Sequence, residues 1–492
     1  MNKYFAIVSS TAALVGCLSL PSVGPDYEAP KVDEPKMTLP DAGQPPEMTN
    51  EDVRVTITND KMKLWWKQLN DSVLDELIEA ATTSNLSYQM TIKRLEEANW
   101  TLLGTYSEFL PKMNANASWT AADNHRHNSS MVSTGLSKKH STVGDLGLAA
   151  NWEIDVFGGN RRMTEAALAL TDAAEYDVAN AWLTLTTELG IQYVNLRTTQ
   201  ERIEVAETNL VLQTETYDIL KSRLDSGIGD ELAVNQCKYI VEQTRASIPP
   251  LKAQEEALKN AISILCGVMP GEMHEKLKPV ETKRDWMVEP QKLADLPVDM
   301  IRQRPDAQAA ERRLAAQTAY IGVAKSSWYP KFYITGGVGY QNAQHSAKLF
   351  DHGAMYASIG PSASWAIFSG GAIYAQVKSE EAKTEEAFLN YENTLQKAYA
   401  DARNSYSSYT QEYHRNDALK NALKAATDAV EIAQDLYKNG IRDFNNVLDA
   451  QRSRLSIEEQ YVVSRGQITV DLIELYKSLG GGLATEDSEN EE

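Results

Sequence analysis

The chain has 492 residues, enough for about three domains of ordinary size. Its 68 acidic residues against 48 basic ones leave a net charge of −20, which argues against nucleic acid as a partner, because phosphate binding wants a basic face. Beyond the first twenty residues there is no run of about 18 apolar residues, so a multi-span helical membrane protein is excluded.

The chain opens with Lys3, a short apolar run from Tyr4 to Val15, and Leu14-Val15-Gly16-Cys17. The run is too short to span a bilayer, and residues 1–16 read as an export signal. A cysteine closing such a run resembles a lipobox, in which Cys17 is acylated with palmitate-type chains and becomes the mature N-terminus. An ordinary signal peptide with a chance cysteine is the other reading. Residues 17–60 form a tether rich in proline (Pro21, Pro25, Pro30, Pro35, Pro40, Pro45 and Pro46), which cannot be helical and is expected to run extended.

Internal repetition organises the rest. Arg94-Leu95 matches Arg313-Leu314 and Pro111-Lys112 matches Pro330-Lys331, both at an offset of 219 residues. Trp152 matches Trp365 and Gly227 matches Gly440 at 213, Leu265 matches Leu479 at 214, and Gly158-Gly159 matches Gly370-Gly371 at 212. Residues 61–270 and 306–483 are therefore expected to be two copies of one unit, joined by a connector at 271–305. A shortened loop between Lys331 and Trp365 accounts for the change of offset. Residues 484–492 read as a disordered acidic tail.

Each copy carries a pair of strands. Over 112–122, Met113, Ala115, Ala117, Trp119 and Ala121 alternate with Lys112, Asn114, Asn116, Ser118 and Thr120. Strands at 143–157, 331–341 and 355–368 repeat the pattern, and Pro361 predicts a bulge or a lost ladder bond in the last. Segments of roughly ten residues, apolar on one face with aromatic residues near their ends, fit a transmembrane β-barrel; a soluble sandwich half is the alternative.

Between the strand pairs the sequence predicts helices of unusual length. Ala372 to Asn439 is free of Gly and Pro for 68 residues, and Asn160 to Ser226 contains only Gly190 in 67. At 1.5 Å per residue each would be about 100 Å long. The series Tyr391, Leu395, Ala398, Ala402, Tyr406, Tyr409, Tyr413 advances 22 residues in six steps, about 3.67 per turn, so the helix is expected to run nearly straight. Shorter helices at Ser72–Glu108, Glu231–Leu265, Asp306–Trp328 and Phe444–Leu479 can flank the long ones. Pro249-Pro250 predicts a kink in the second of them.

Four strands cannot close a barrel, and eight give one filled by its own side chains. Three chains give twelve strands and a lumen, so a homotrimer is expected.

Taken together, these residues resemble the lipoprotein (NodT-like) branch of the TolC superfamily of outer-membrane efflux channels. The motifs are Cys17, Val23-Gly24-Pro25-Asp26-Tyr27, Trp65-Trp66, Asn151 to Gly158, Arg302-x-Arg304-Pro305-Asp306, Ala309 to Leu314, Trp365-x-Ile367-Phe368-x-Gly370-Gly371, Asn390-Tyr391-Glu392 and Val447 to Ser453. The resemblance implies a mixed α and β membrane protein: a trimeric channel-tunnel with a twelve-stranded β-barrel, four strands per chain, on a long α-helical barrel. It implies a periplasmic adaptor (membrane fusion) protein and an inner-membrane transporter of the resistance-nodulation-division type as partners, outer-membrane lipid around the barrel, and no cofactor.

The resemblance also implies a periplasmic gate near the turns at Gly227 and Gly440, with Tyr437, Arg442, Asn446 and Asp449 at the positions that hold similar channels closed and ring the pore with carboxylates. Asn446 stands where TolC has Asp. Ala233 stands where an acidic partner is usual, leaving Asp230 or Glu231 as substitutes. On composition alone, Asp449 is equally one more solvated charge on an acidic helix.

Enzymatic readings find little support. His125, His127, His140, His345 and His352 fall in two predicted strand-connecting loops, without the carboxylates or cysteines that would complete a metal site. Gly336-Gly337-Val338-Gly339 lies in a strand and opens no helix, so it is no phosphate cradle. A secretion duct for polypeptides shares the expected architecture and is the second functional reading; a coiled-coil tether would not need duplicated strand pairs.

Overall fold

The computed structural model describes residues 22–30, 64–123, 140–280, 301–342, 349–350 and 352–482. The export signal, Cys17, most of the tether, His125, His127, His345 and the acidic tail lie outside the described residues.

The elements follow the duplicated order. After a 3-10 turn at Trp65–Leu69 come α1 (Ser72–Ser84), α2 (Leu86–Ser107), β1 (Lys112–Asp123), β2 (His140–Ile154), α3 (Gly159–Asp225) and α4 (Glu231–Leu265). The second half gives α5 (Pro305–Ser326), β3 (Lys331–Asn342), β4 (Met355–Ser364), α6 (Ala372–Lys438) and α7 (Phe444–Ser478). Both long helices have 67 residues, as the absence of breakers requires.

Three local expectations are corrected. The helix expected over Ser72–Glu108 is broken at Asn85, which is extended (ψ 122°). Its Oδ1 accepts the Tyr88 amide at 2.8 Å and caps α2, while its Nδ2 donates to the Leu265 carbonyl at 2.9 Å. Pro361 causes no bulge: the register from Lys331↔Ser364 to Tyr340↔Met355 is unbroken through Ile334↔Pro361, so of the two expected outcomes only the N–H that proline cannot supply remains. β2 and β4 end at Ile154 and Ser364, short of the expected 157 and 368.

By internal contacts the chain forms two units, each built from segments of both halves. One comprises Met1–Lys31, Leu95–Ala174 and Ala310–Tyr391. It holds a four-stranded antiparallel sheet in the order β1-β2-β3-β4. The register puts Met113, Trp119, Leu146, Leu148, Trp152, Phe332, Ile334, Val338, Met355 and Ile359 on one face. All of them are exposed. The other face carries Asn114, Asn116, Ser118, Asp145, Asn151, Glu153, Thr335, Gln341, Ser358 and Ser362. At the helix end of the sheet, Trp152 Nε1 donates to the Phe109 carbonyl at 2.9 Å and Trp365 Nε1 to the Trp328 carbonyl at 3.0 Å. Beside them Phe157 stacks on Tyr329 at 4.5 Å.

Beyond the sheet, α3 meets α5 through Ala166, Ala169, Ala315, Ala316 and Ala319, small enough for close helix approach. The segment Ser22–Tyr27 is strapped across them. The Val23 amide donates to the Phe157 carbonyl at 3.1 Å, the buried Arg162 guanidinium donates to the Val23 and Gly24 carbonyls and to Asp26, and the Tyr27 hydroxyl donates to Glu311 at 3.2 Å. Gly24 has φ +107°, and a Cβ there would lie 2.4 Å from Gly322 Cα, so only glycine fits.

The second unit comprises Val32–Arg94, Glu175–Ala309 and Glu392–Glu492. Its core gathers Trp65, Trp66, Leu74, Leu77, Leu189, Tyr193, Ile262, Ala398, Ala402, Tyr409, Ile468 and Ile473. Gly190, the one glycine inside α3, makes room for Trp65: a Cβ there would sit 2.3 Å from the indole. The apolar series on α6 is buried from Tyr391 to Tyr409; farther along, Leu419, Leu423, Ala426 and Ala433 are half-buried.

Candidate functional site

The two long helices end in equivalent turns. Gly227 (φ +77°) donates its amide to the Leu224 carbonyl at 2.9 Å, and Ile228 donates to Arg223 at 3.1 Å. Gly440 (φ +70°) donates to Tyr437 at 3.0 Å, and Ile441 to Leu436 at 2.9 Å. Each is a Schellman closure, in which a left-handed residue satisfies the last helical carbonyls. Glycine adopts that conformation without penalty. The chain then reverses into α4 behind Asp230, whose carboxylate accepts the Leu232 amide at 2.9 Å, and into α7 behind Asp443.

A small core closes this end of the second unit: Leu220, Ala233, Val234, Cys237, Ile240, Phe444, Val447 and Leu448, with Tyr217, Leu224, Ala433 and Tyr437 packed against it. Cys237 is a packing residue; burial pushes its thiol up to about 11, so it stays protonated. Tyr437 lies edge-on to Phe444 at 5.1 Å, and its hydroxyl accepts from Arg223 at 3.2 Å.

The residues expected here are thus brought together in part. Tyr437 is half-buried, while Arg442, Asn446 and Asp449 are exposed. Asn446 donates its Nδ2 to the Asp443 carbonyl at 3.2 Å, and Asp449 pairs loosely with Arg452 at 3.8 Å. Arg452 in turn lies over the Tyr239 ring at 5.6 Å. Ala233 is buried in the small core, which explains why no acid stands there: a carboxylate at that position would lose its hydration. Asp230 caps α4 through the Leu232 amide, and both Asp230 and Glu231 are exposed.

Sequence reasoning missed Arg223. The repeat offset of 213 that pairs Gly227 with Gly440 sets Arg223 one residue before the counterpart of Tyr437, in the last turn of α3, where a cation also complements the helix dipole.

Among the described residues no helix is long and apolar enough to cross a membrane, and no cluster of His, Cys, Asp and Glu is arranged to hold a metal. A sheet apolar on one face and polar on the other, carried by helices of 67 residues, defines the class of channel that crosses a membrane by strands. Residues 77–267 and 296–481 match the family model described as outer membrane efflux protein, and the chain belongs to that family. It is 27% identical over 477 residues to Nodulation protein T of Rhizobium leguminosarum bv. viciae, covering 96% of this chain and 93% of the relative. It is 27% identical over 423 residues to the outer membrane protein OprJ of Pseudomonas aeruginosa, covering 85% and 86%. The solved outer-membrane channel OprN superposes with a TM-score of 0.81 at 30% identity, over 93% of this chain and 99% of that one. The protein is an efflux channel of a Gram-negative outer membrane, as the sequence motifs led one to expect.

Proposed function

We propose that the chain works as a homotrimer that closes a twelve-stranded barrel in the outer membrane and serves as the exit duct of a tripartite pump. The observation that carries this is the sheet itself. Within the described chain β1 pairs only with β2 and β4 only with β3, and a sheet edge left open in hydrocarbon would strand its N–H and C=O groups. The bare apolar face lies toward lipid and the polar face toward the lumen. Three copies give twelve strands, more than the eight whose side chains fill the interior. The loops joining β1 to β2 and β3 to β4 then face the exterior, and the helices lie on the periplasmic side.

In this reading the chain is two copies of one unit, 61–270 and 306–483, and its partners are a periplasmic adaptor and an inner-membrane transporter of the resistance-nodulation-division type. Cys17 carries the lipid anchor, and Tyr437, Arg442, Asn446 and Asp449 belong to a gate at the turns marked by Gly227 and Gly440, with Arg223 as the partner of Tyr437. Crosslinking in intact cells followed by purification of the full chain tests it. A species of three copies carrying an adaptor and such a transporter is expected. A monomer in the membrane, or capture of a polypeptide exporter instead, overturns it.

A further inference from the structure

Asn116, Gly147, Gly339 and Tyr356 face one another in a single row across the four strands, on the polar side of the sheet. Side chains on a strand normally stand roughly perpendicular to the sheet. Tyr356 instead lies along the row. A Cβ built on Gly339 would meet Tyr356 Cε1 at 3.1 Å, one on Gly337 would meet Cε2 at 3.8 Å, and one on Gly147 would meet the hydroxyl at 2.6 Å. The ring therefore covers β3, where Gly339 is buried, and its hydroxyl reaches β2. Glycine weakens a strand, because it packs nothing and loses more backbone freedom than any other residue. What these three provide is a hollow one side chain deep, in which an aromatic ring becomes part of the wall.

We propose that Tyr356 and its glycine floor set the bore of the membrane channel at this row, and so the size of solute that passes it. The proposal rests on the trimeric barrel, in which the polar face lines the lumen. Three tyrosines standing up from the wall would put three rings toward one axis; laid flat, they leave it open. Gly147 is the position at which this can be reversed. The tight contact of a Cβ there is with the free end of Tyr356, the next being the Val338 carbonyl at 3.2 Å. At Gly339 a Cβ would also come within 2.6 Å of the β2 backbone and disturb the sheet itself.

The test uses the full chain in the outer membrane of intact cells, with Ser362→Cys as reporter. Ser362 is exposed on the polar face, nearer the helix end of β4 than Tyr356, so a reagent entering from outside passes the row before reaching it. The reaction rate of a maleimide carrying polyethylene glycol, too bulky to cross by other routes, is divided by that of a small methanethiosulfonate. Adding Gly147→Thr should lower this ratio several-fold, and adding Tyr356→Ala to that variant should restore it. An unchanged ratio in Gly147→Thr, a low ratio persisting in the double variant, or a parent closed to the bulky reagent overturns the proposal. Failure of even the small reagent to label the parent overturns the lumenal face, and the proposal with it. If Gly147→Thr does not reach the membrane, Gly147→Ala, which sets one methyl against the hydroxyl, gives the same comparison.

Discussion

Arg223 and Tyr437, 214 residues apart, meet at the end of the two long helices, with the guanidinium 3.2 Å from the phenol oxygen and 5.6 Å from the ring centre. The pair lies within one chain, so Tyr437 binds its own hairpins together. The contact joins the hairpin of α6 and α7 to that of α3 and α4. Arg442, exposed just past the Gly440 turn, is the residue left to reach outward.

The consequence for conduction can be measured in planar bilayers. Tyr437→Phe keeps the ring contact with Phe444 but loses the exposed hydrogen bond, which costs about 1 kcal/mol or less. Combined with Arg442→Ser it should raise single-channel conductance without lowering trimer yield. Arg223→Ala with Arg442→Ser should do the same. Unchanged conductance in both double variants would place the gate elsewhere.

Asp449 tests the sign of the field at the tip. Its carboxylate is mostly exposed and its pairing with Arg452 at 3.8 Å is weak, so most of its charge is left unneutralised. In the proposed trimer, with Asp449 at the gate, three copies around one axis would favour cations. Asp449→Asn should shift the reversal potential in a salt gradient toward zero, and Arg452→Ala should shift it the other way. Selectivity indifferent to both changes would return Asp449 to the status of a solvated surface charge.

Asp471 gives a stability prediction with a defined sign. It is buried on α7; burial pushes its carboxyl up to about 6, with Glu474 and Glu412 adding repulsion and a 2.8 Å hydrogen bond from Gln467 opposing the rise. A folded value above the unfolded one means the charged form destabilises the native state. This group's contribution therefore becomes more favourable as pH falls from above 6 toward 4. Asp471→Asn should raise Tm at pH 7, by a free energy on the order of 2 kcal/mol, and flatten the dependence between pH 7 and 4. A lower Tm at pH 7 for this variant would show that the carboxylate has a partner in the assembled channel.

The strap over α3 and α5 is tested by Arg162→Ala. The guanidinium is buried and donates to Val23, Gly24, Asp26 and Glu165, but Asp26 itself is 86% exposed, which discounts the ion pair. A loss of about 1–3 kcal/mol is expected, with faster proteolysis around residues 22–30. Gly24→Ala should release the same segment through backbone strain and its clash with Gly322. Protection equal to wild type in both variants would mean that Tyr27 and Glu311 hold the strap alone.

Much of this molecule is determined by residues close together in the chain. Long stretches without Pro, and with Gly190 as the one interior Gly, offer the backbone no strong stop, so the spans of α3 and α6 are legible in the sequence alone; alternation every second residue assigns both faces of β1 to β4; Gly227 and Gly440 close the helices in the left-handed conformation that glycine adopts without penalty. These are local effects, settled within a turn or a pleat. What the tertiary structure decided is where segments 125 to 214 residues apart had to fit each other. Asn85 breaks a helix because its amide is needed at the end of α4, Gly190 is small because Trp65 fills its space, and Tyr437 finds Arg223 because two hairpins share a small core. Such pairings depend on which surfaces are buried against each other, and no periodicity within one segment encodes its partner.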